Sequence, residues 1–496
     1  MKRQQRLTFL TIFTIALVAP YTLTSCEGSG AGGGEPWVST PSGLLDDSSP
    51  EGDEGQSDVF PLPAYGPMVG AVTSSSAKVW FRVTQGTAVK VGYGEHPGML
   101  DEKITAHTVI PREEDDYTGT IQLENLAPDT TYFYRLLVDG DPVDSETSTS
   151  FKTFPEVPSG ARIGFLADIF VSEKKSAPAL QALSIEVPDL VVILGDWPHM
   201  DATQLSKMRR MYRDFRNHTT VMGGEFVNHI LWKFPVARVW DDHDYGTNNS
   251  DKAFLGKTEA IQAHDEYWPS YDRPNPQAGL WHKFRYGDLV EVFMLDLRSQ
   301  RDPDSYRDSR YVSDGWPGAN RDELRYDPAR SMLDGDESDG DPKGQKQWLK
   351  DGLLTSAAKW KMVVSSVPWN PTVPKDDAWW DFMAERQELM DFIDTNEIDG
   401  VIVVSGDIHS GGAIDDGTYS GLPEMSVPIC WPPRTLQTTC WLHGPARYLR
   451  CGEWSHGGPI ETGVGYGLVT LTEDTAVIQT KSERGETLLE LPVFQE

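Results

Sequence analysis

The rhythm of apolar and polar positions changes near residue 155. Over residues 60–154 the two kinds alternate in short segments, such as Ala77-Lys78-Val79-Trp80-Phe81-Arg82-Val83, with turn residues between them. A period of two turns one side of each segment inward, which predicts an all-β sandwich. Beyond Phe154 the alternation gives way to continuous apolar runs that stop abruptly at polar residues. The run 163–167 stops at Asp168, 190–194 at Gly195-Asp196, and 236–240 at Asp241-Asp242-His243-Asp244. The run 289–295 stops at Asp296, 362–364 at Ser365-Ser366, and 401–404 at Ser405-Gly406-Asp407-Ile408-His409. Such runs read as strands buried on both faces, and open α/β sheets bind ligands just beyond the carboxyl ends of their strands. Residues 177–186, 345–356 and 385–396 repeat apolar side chains at helical spacing, so helices should cover the sheets. The strands 467–471 and 475–480 are expected to complete the second sheet.

The domains follow from this grammar. Residues 1–26 read as an export signal: Lys2, Arg3 and Arg6, an apolar stretch over 7–19 too short to span a bilayer, then Leu23-Thr24-Ser25-Cys26. That tetrapeptide resembles a bacterial lipobox. The resemblance implies lipid on Cys26 and an exported, periplasmic or cell-surface lipoprotein held to a membrane. Residues 27–58, rich in Gly, Ser, Pro, Asp and Glu, form a flexible acidic linker. Residues 59–155 are the β-sandwich, within which Leu126-Ala127-Pro128-Asp129-Thr130-Thr131-Tyr132-Phe133-Tyr134-Arg135 resembles the late strand of fibronectin type III domains. Tyr132 is then a corner residue bonded to backbone. Residues 156–496 form the catalytic body.

Charge narrows the partners. Lys and Arg total 44 against 75 Asp and Glu, a net charge of −31 that repels phosphate backbones, so no nucleic-acid binding is expected. Hydrophobic residues make up 39%, enough for a sizeable core beneath that surface. Cys430, Cys440 and Cys451 permit one loop-stapling disulfide and one free thiol, and their spacing leaves open which two pair. The Asp- and Gly-rich segment 302–341 reads as a solvated loop, since it lacks the terminal glutamate of a calcium-binding loop.

The chemistry gathers at strand ends. Asp168, Asp196, Asp242, Asp407 and His409 belong to four of them, and carboxylates crowded at one sheet edge repel unless cations intervene. Gly195-Asp196-Trp197-Pro198-His199-Met200-Asp201, Trp240-Asp241-Asp242-His243-Asp244-Tyr245-Gly246, Leu295-Asp296-Leu297-Arg298-Ser299-Gln300-Arg301 and Ser405-Gly406-Asp407-Ile408-His409 together resemble the ordered motifs of PhoD-like phosphatases, the alkaline phosphatase D family. The resemblance runs from about residue 60 to the C-terminus. It implies a calcineurin-like metallophosphoesterase core, a four-layer α-β-β-α sandwich, preceded by the fibronectin type III-like domain.

Residue by residue, the resemblance implies a first metal held by Asp168, Asp196, His199 and His409, and a second by Asp196, Asp242 and Asp407 with Asn248 or Asn370 as a neutral donor. Asp168 stands where the family typically has cysteine and His199 where it has tyrosine. Those departures suit iron, zinc or manganese at the first site, and an all-oxygen shell suits calcium, magnesium or manganese at the second. His243 is the expected proton donor to the leaving oxygen, Asp201 its orienting partner, and Arg298 and Arg301 the phosphate-binding pair. The implied function is hydrolysis of phosphate esters by a metal-bound hydroxide at a binuclear site. A phospholipase D-type phosphodiesterase is the alternative within this chemistry, and a non-catalytic calcium-stabilised binding module the alternative outside it. Trp197, Tyr245, Trp316, Trp369, Trp380 and Trp431 are core residues or the wall of an apolar groove. The expected partners are a phosphate-ester substrate and a membrane, with the chain a monomer.

Overall fold

Alternation in the first part of the chain yields eight strands: β1 (Tyr65–Gly70), β2 (Ser76–Arg82), β3 (Val89–Gly94), β4 (Lys103–Ile104), β5 (Thr118–Glu124), β6 (Thr131–Val138), β7 (Asp141–Pro142) and β8 (Thr149–Lys152). The computed structural model describes residues 65–495 apart from 99, 101, 144–148, 170–175, 221–222, 305–320, 335–343, 376, 410, 431–441, 444–447, 450–451 and 457–463. The expected signal with Cys26, the linker, Trp316, Trp431, Cys440, Cys451 and much of the 302–341 loop lie outside the described residues. Strands β1, β2 and β5 form one sheet and β3, β4, β6, β7 and β8 another, their inward side chains Val79, Phe81, Val91, Ile121, Tyr134 and Leu136 sharing one core. Tyr132 is buried there, and its hydroxyl accepts the Ala127 N–H at 2.9 Å.

Nine further strands follow: β9 (Ala161–Leu166), β10 (Leu190–Ile193), β11 (Val236–Arg238), β12 (His282–Tyr286), β13 (Val290–Met294), β14 (Trp360–Ser365), β15 (Val401–Ser405), β16 (Ala413–Asp416) and β17 (Pro423–Ser426). The chain ends with the short hairpin β18 (Leu442–His443) and β19 (Tyr448–Leu449), then β20 (Gly465–Leu471), β21 (Thr475–Ser482) and β22 (Thr487–Phe494). One nine-stranded sheet runs β22-β21-β20-β9-β10-β11-β1-β2-β5, and a six-stranded one runs β12-β13-β14-β15-β17-β16. The first sheet crosses the expected boundary at residue 155, because β1 lies parallel to β11 through Gly70 and Val236.

The last strands correct an expectation. Segments 467–471 and 475–480 extend the first sheet and not the second: β20 runs antiparallel along β9, Val469 opposite Ile163. Parallel pairing to β10 occupies only one edge of β9, and the returning strand satisfies the backbone groups of the other.

Strand side chains divide between two packings. Val192 and Leu194 of the first sheet's run meet Val290, Val292, Met362, Val364, Ile402 and Val404 of the second in one core. On the opposite faces, Val191 and Ile193 pack with Leu180, Leu183, Met208 and Tyr212, while Phe293, Val363 and Val403 pack with Leu349, Leu353 and Leu389. Those partners lie on α1 (Ala177–Glu186), α2 (Leu205–Arg216), α7 (Gly344–Thr355) and α8 (Met383–Thr395); between them fall α3 (Gly224–Phe226), α4 (Asp242–Tyr245), α5 (Lys257–Tyr267) and α6 (Arg321–Arg325). Helix α2 buries Met208, Tyr212 and Phe215 at helical spacing and turns its basic residues outward, apart from Arg216. No described helix is long and apolar enough to cross a membrane.

Candidate metal centre

Parallel register brings the acidic strand ends side by side. Ile193 of β10 lies opposite Leu166 of β9 and Arg238 of β11, so the chain leaves all three strands within a few residues of one line. Gly195 lets two of these exits touch: its φ is 107°, and a Cβ there would fall 2.4 Å from the Cβ of Asp241. The second sheet delivers Asp407 through Gly406, where a Cβ would lie 3.3 Å from Leu194 and 3.4 Å from Ala167. Asp168, Asp196, Asp407 and His409 all adopt left-handed backbone, with φ between 50° and 54°. That conformation ends a strand sharply, and non-glycine residues hold it only where their surroundings fix it.

Three sets of ligating atoms result. Asp168, Asp407 and His409 form one, with His409 Nε2 3.1 Å from both Asp168 Oδ1 and Asp407 Oδ1. Asp196, Asp241 and Asp242 form another, and Asp196, His199 and His243 a third, so Asp196 is common to two. The buried oxygens Asp168 Oδ2 and Asp196 Oδ1 have no hydrogen-bond partner. Burial, together with Asp242, Asp241, Asp168 and Asp244, pushes the Asp196 carboxyl well above the usual range. Asp168 faces the same burial, but His409, Lys375 and His199 hold it low. Orphaned anionic oxygens converging on imidazole nitrogen are what a bound cation satisfies, so these residues fit a metal.

The histidine pair adjoins this cluster. His199 and His243 stack with ring centroids 3.6 Å apart. Asp201 Oδ1 lies 2.7 Å from His243 Nδ1, and Asp201 Oδ2 lies 3.6 Å from His199 Nδ1. The other ring nitrogens point inward, His199 Nε2 to 4.0 Å from Asp196 and His243 Nε2 to 4.0 Å from Asp242. Burial lowers the His243 pKa, but Asp201 and Asp242 outweigh it and the net shift is upward. Asp242 is oriented by the N–H groups of Asn249, at 2.6 Å, and His243, at 3.1 Å.

The arginines differ from the expectation of phosphate binding. Arg298 is fully buried beneath the carboxylates, its Nε bonded to Asp241, its Nη1 2.9 Å from Asp377, and its Nη2 3.6 Å from both Asp242 and Asp407. It is an internal counter-ion. Arg301, equally buried, donates to the carbonyls of Asn249 at 2.7 Å and Ser250 at 3.3 Å, and so fixes the loop that presents the Asn249 N–H. Asn248 is exposed and donates to Asn249 Oδ1, while Asn370 is buried in a turn between Thr372 and Glu453. Trp197, Tyr245 and Trp369 are core, and Trp380 lies under the Arg325 guanidinium. Asp296 accepts from Trp240 Nε1, the Leu280 N–H and Ser299 Oγ, which makes it a structural hub.

Two residues escaped the sequence reading: Lys375, which contacts Asp407 Oδ2, and Asp377, which pairs with Arg298. Asp241, a rival of Asp242 within its motif, pairs with Arg298 and accepts from Ser366 Oγ at 2.9 Å. Lys375 and Asp377 lie in a loop beyond β14, and the only available signal was a charge run just before Trp379-Trp380. Asp244 ties two exits together, its carboxylate accepting the N–H groups of Asp241 and, at 3.3 Å, Asp196.

Two mixed sheets carry a carboxylate–imidazole cluster at their strand ends. The chain shares its fold with a solved structure of PhoD, at TM-score 0.68 and 18% identity over 89% of this chain and 92% of that one. It also aligns with purple acid phosphatase from yellow lupin (Lupinus luteus) seeds, at TM-score 0.56 and 11% identity over 86% and 74% of the two chains. Residues 185–420 match the PhoD-like phosphatase family model. Residues 63–156 match a domain of unknown function (DUF7800). Alkaline phosphatase D of Bacillus subtilis (strain 168) is 27% identical over 331 residues, which are 59% of this chain and 53% of that protein. The match thus spans about half the length of that curated relative.

Proposed function

We propose that this chain hydrolyses phosphate esters with the help of two cations held at the strand ends. One observation carries the reading: Asp168, Asp196, Asp407 and His409 converge from two different sheets, with buried carboxylate oxygens of Asp168 and Asp196 lacking any donor. Asp168, Asp196, His199 and His409 would hold the first cation, of iron, zinc or manganese type, and Asp196, Asp242 and Asp407 the second, of calcium, magnesium or manganese type. When bound, such ions supply Lewis acidity, acidifying water and neutralising phosphoryl oxygens. The chain's own part is to aim His243. Its Nδ1 proton is fixed on Asp201, so Nε2 faces the cluster and can protonate the departing oxygen. The family match and the alkaline phosphatase D relative support the same chemistry.

The same proposal includes the four-layer α-β-β-α arrangement, supported by the division of side chains between three cores, and a fibronectin type III-like leading module, supported by the Tyr132 corner bond. It also includes export and anchoring through lipid on Cys26, supported by the basic, apolar and lipobox order of residues 1–26.

The test is turnover of an aryl phosphomonoester and an aryl phosphodiester by metal-loaded chain. Hydrolysis of either, lost by at least about a thousandfold in Asp196→Asn, is the expected result. Absence of turnover with every metal named above, or full activity in the variant, would refute the reading. The ratio of the two rates assigns the ester preference.

A further inference from the structure

The two proposed cation positions are electrostatically unequal. Buried oxygens without a hydrogen-bond partner lie on Asp168, on Asp196, which both positions share, and on Asp407, so what separates the positions is the fixed positive charge beside them. The oxygens offered to the second already face such charge: Arg298 Nη2 lies 3.6 Å from both Asp242 Oδ1 and Asp407 Oδ2, and the Lys375 ammonium contacts that same Asp407 Oδ2. Resting on the metal-centre reading above, we propose that Lys375 is a built-in competitor for the second cation, occupying Asp407 until a divalent ion displaces it.

Arg298 cannot play this part. Its Nε and Nη1 are committed to Asp241 and Asp377, and it is wholly buried. Lys375 is held only at its tip. Its partners are the Asp407 carboxylate, the Asp407 carbonyl at 3.2 Å and Asp377 Oδ1 at 3.8 Å, and its side chain keeps 28% of its surface exposed. A flexible four-carbon stem reaching from solvent can swing without disturbing the core. Asp377 offers the displaced ammonium an anionic partner close by, which lowers the cost of leaving Asp407. Nothing at Ser366 offsets the competition, since its hydroxyl is spent on Asp241 and adds no ligand. Occupancy of the second position should therefore depend on divalent-ion concentration, while the first fills readily.

The experiment uses the full chain, stripped with chelator and titrated calorimetrically with Mn²⁺ alone, as wild type, Lys375→Gln and Lys375→Arg. Wild type should bind one ion tightly and a second more weakly. Lys375→Gln should tighten the second step by about ten- to a hundredfold and leave the first within about twofold, since a charge one contact away acts mainly on its neighbour. Lys375→Arg, which keeps the charge, should retain the weak second step. Elemental analysis after gel filtration gives an independent count of retained ions, one for wild type and two for Lys375→Gln. If Lys375→Gln folds poorly, Lys375→Met carries the same prediction. A second step that is unchanged or weaker in the neutral variants, with the first intact, overturns the competition. No tight step in any protein overturns the metal centre itself, and the competition with it.

Discussion

Replacing Arg298 by methionine removes one buried guanidinium, deprives Asp241 and Asp377 of their bonded arginine and Asp242 of a nearby one, and leaves Asp407 with Lys375 as its cationic neighbour. All five side chains are almost wholly buried. Deleting one partner of a buried ion pair costs about 3–5 kcal/mol, because the other charge stays desolvated and unpaired. Two directly bonded carboxylates are affected here, so metal-stripped Arg298→Met should lose at least about that much at pH 7.5. Arg298→Lys keeps the charge but cannot reach Asp241 and Asp377 together, and should lose about 1–2 kcal/mol. The pH dependence has a definite sign. Burial raises the Asp377 carboxyl, but Lys375 and Arg298 outweigh it and hold it below the usual carboxylate range. A depressed folded-state pKa contributes stability above the unfolded value of about 3.9, lost as pH falls through the lower folded value. Without Arg298 these carboxyls titrate higher and neutralise sooner, so the gap between variant and wild type should be largest near pH 7.5 and narrow by pH 4.5. Equilibrium urea unfolding followed by tryptophan fluorescence measures it. A loss under about 1 kcal/mol, or a gap indifferent to pH, would show that Arg298 does not compensate these carboxylates.

Other expectations are simpler. Tyr132→Phe deletes the corner bond to the Ala127 N–H and should cost about 1 kcal/mol in unfolding experiments, with metal content unchanged. Gly195→Ala puts a Cβ against Asp241 at a positive φ; a fall of about 2–4 kcal/mol together with reduced Mn²⁺ retention is expected, and a stable variant with full retention would contradict the packing of the two exits. His282 is buried, accepted by the Leu280 carbonyl at 2.7 Å, and burial pulls its pKa down to about 4. The unfolded chain takes up that proton first, so stability present above about pH 6.5 should decline by about 3 kcal/mol toward pH 4, and His282→Gln should remove this share of the acid sensitivity.

The sequence by itself determined the elements and the places of the acidic strand ends. Apolar runs ending at Asp168, Asp196, Asp242 and Asp407 announce strand ends, because a strand buried on both faces tolerates charge only where it leaves the sheet. The helix 177–186 matches its observed bounds, and 345–356 and 385–396 fall within two residues of theirs, since helical spacing survives any tertiary arrangement. Tertiary structure alone decided pairing and polarity. Whether residues 465–471 edge the first sheet or the second depends on which strand has a vacant backbone edge, and that is invisible in a local pattern. The same holds for charge. Arg298 and Arg301 follow a strand that ends near the centre, yet one lies beneath it as a counter-ion and the other grips a loop, while Lys375 enters from a segment with no strand-end mark. An arginine's role is set by which carboxylates surround it and how far water is excluded, and both are properties of the folded assembly, not of neighbours along the chain.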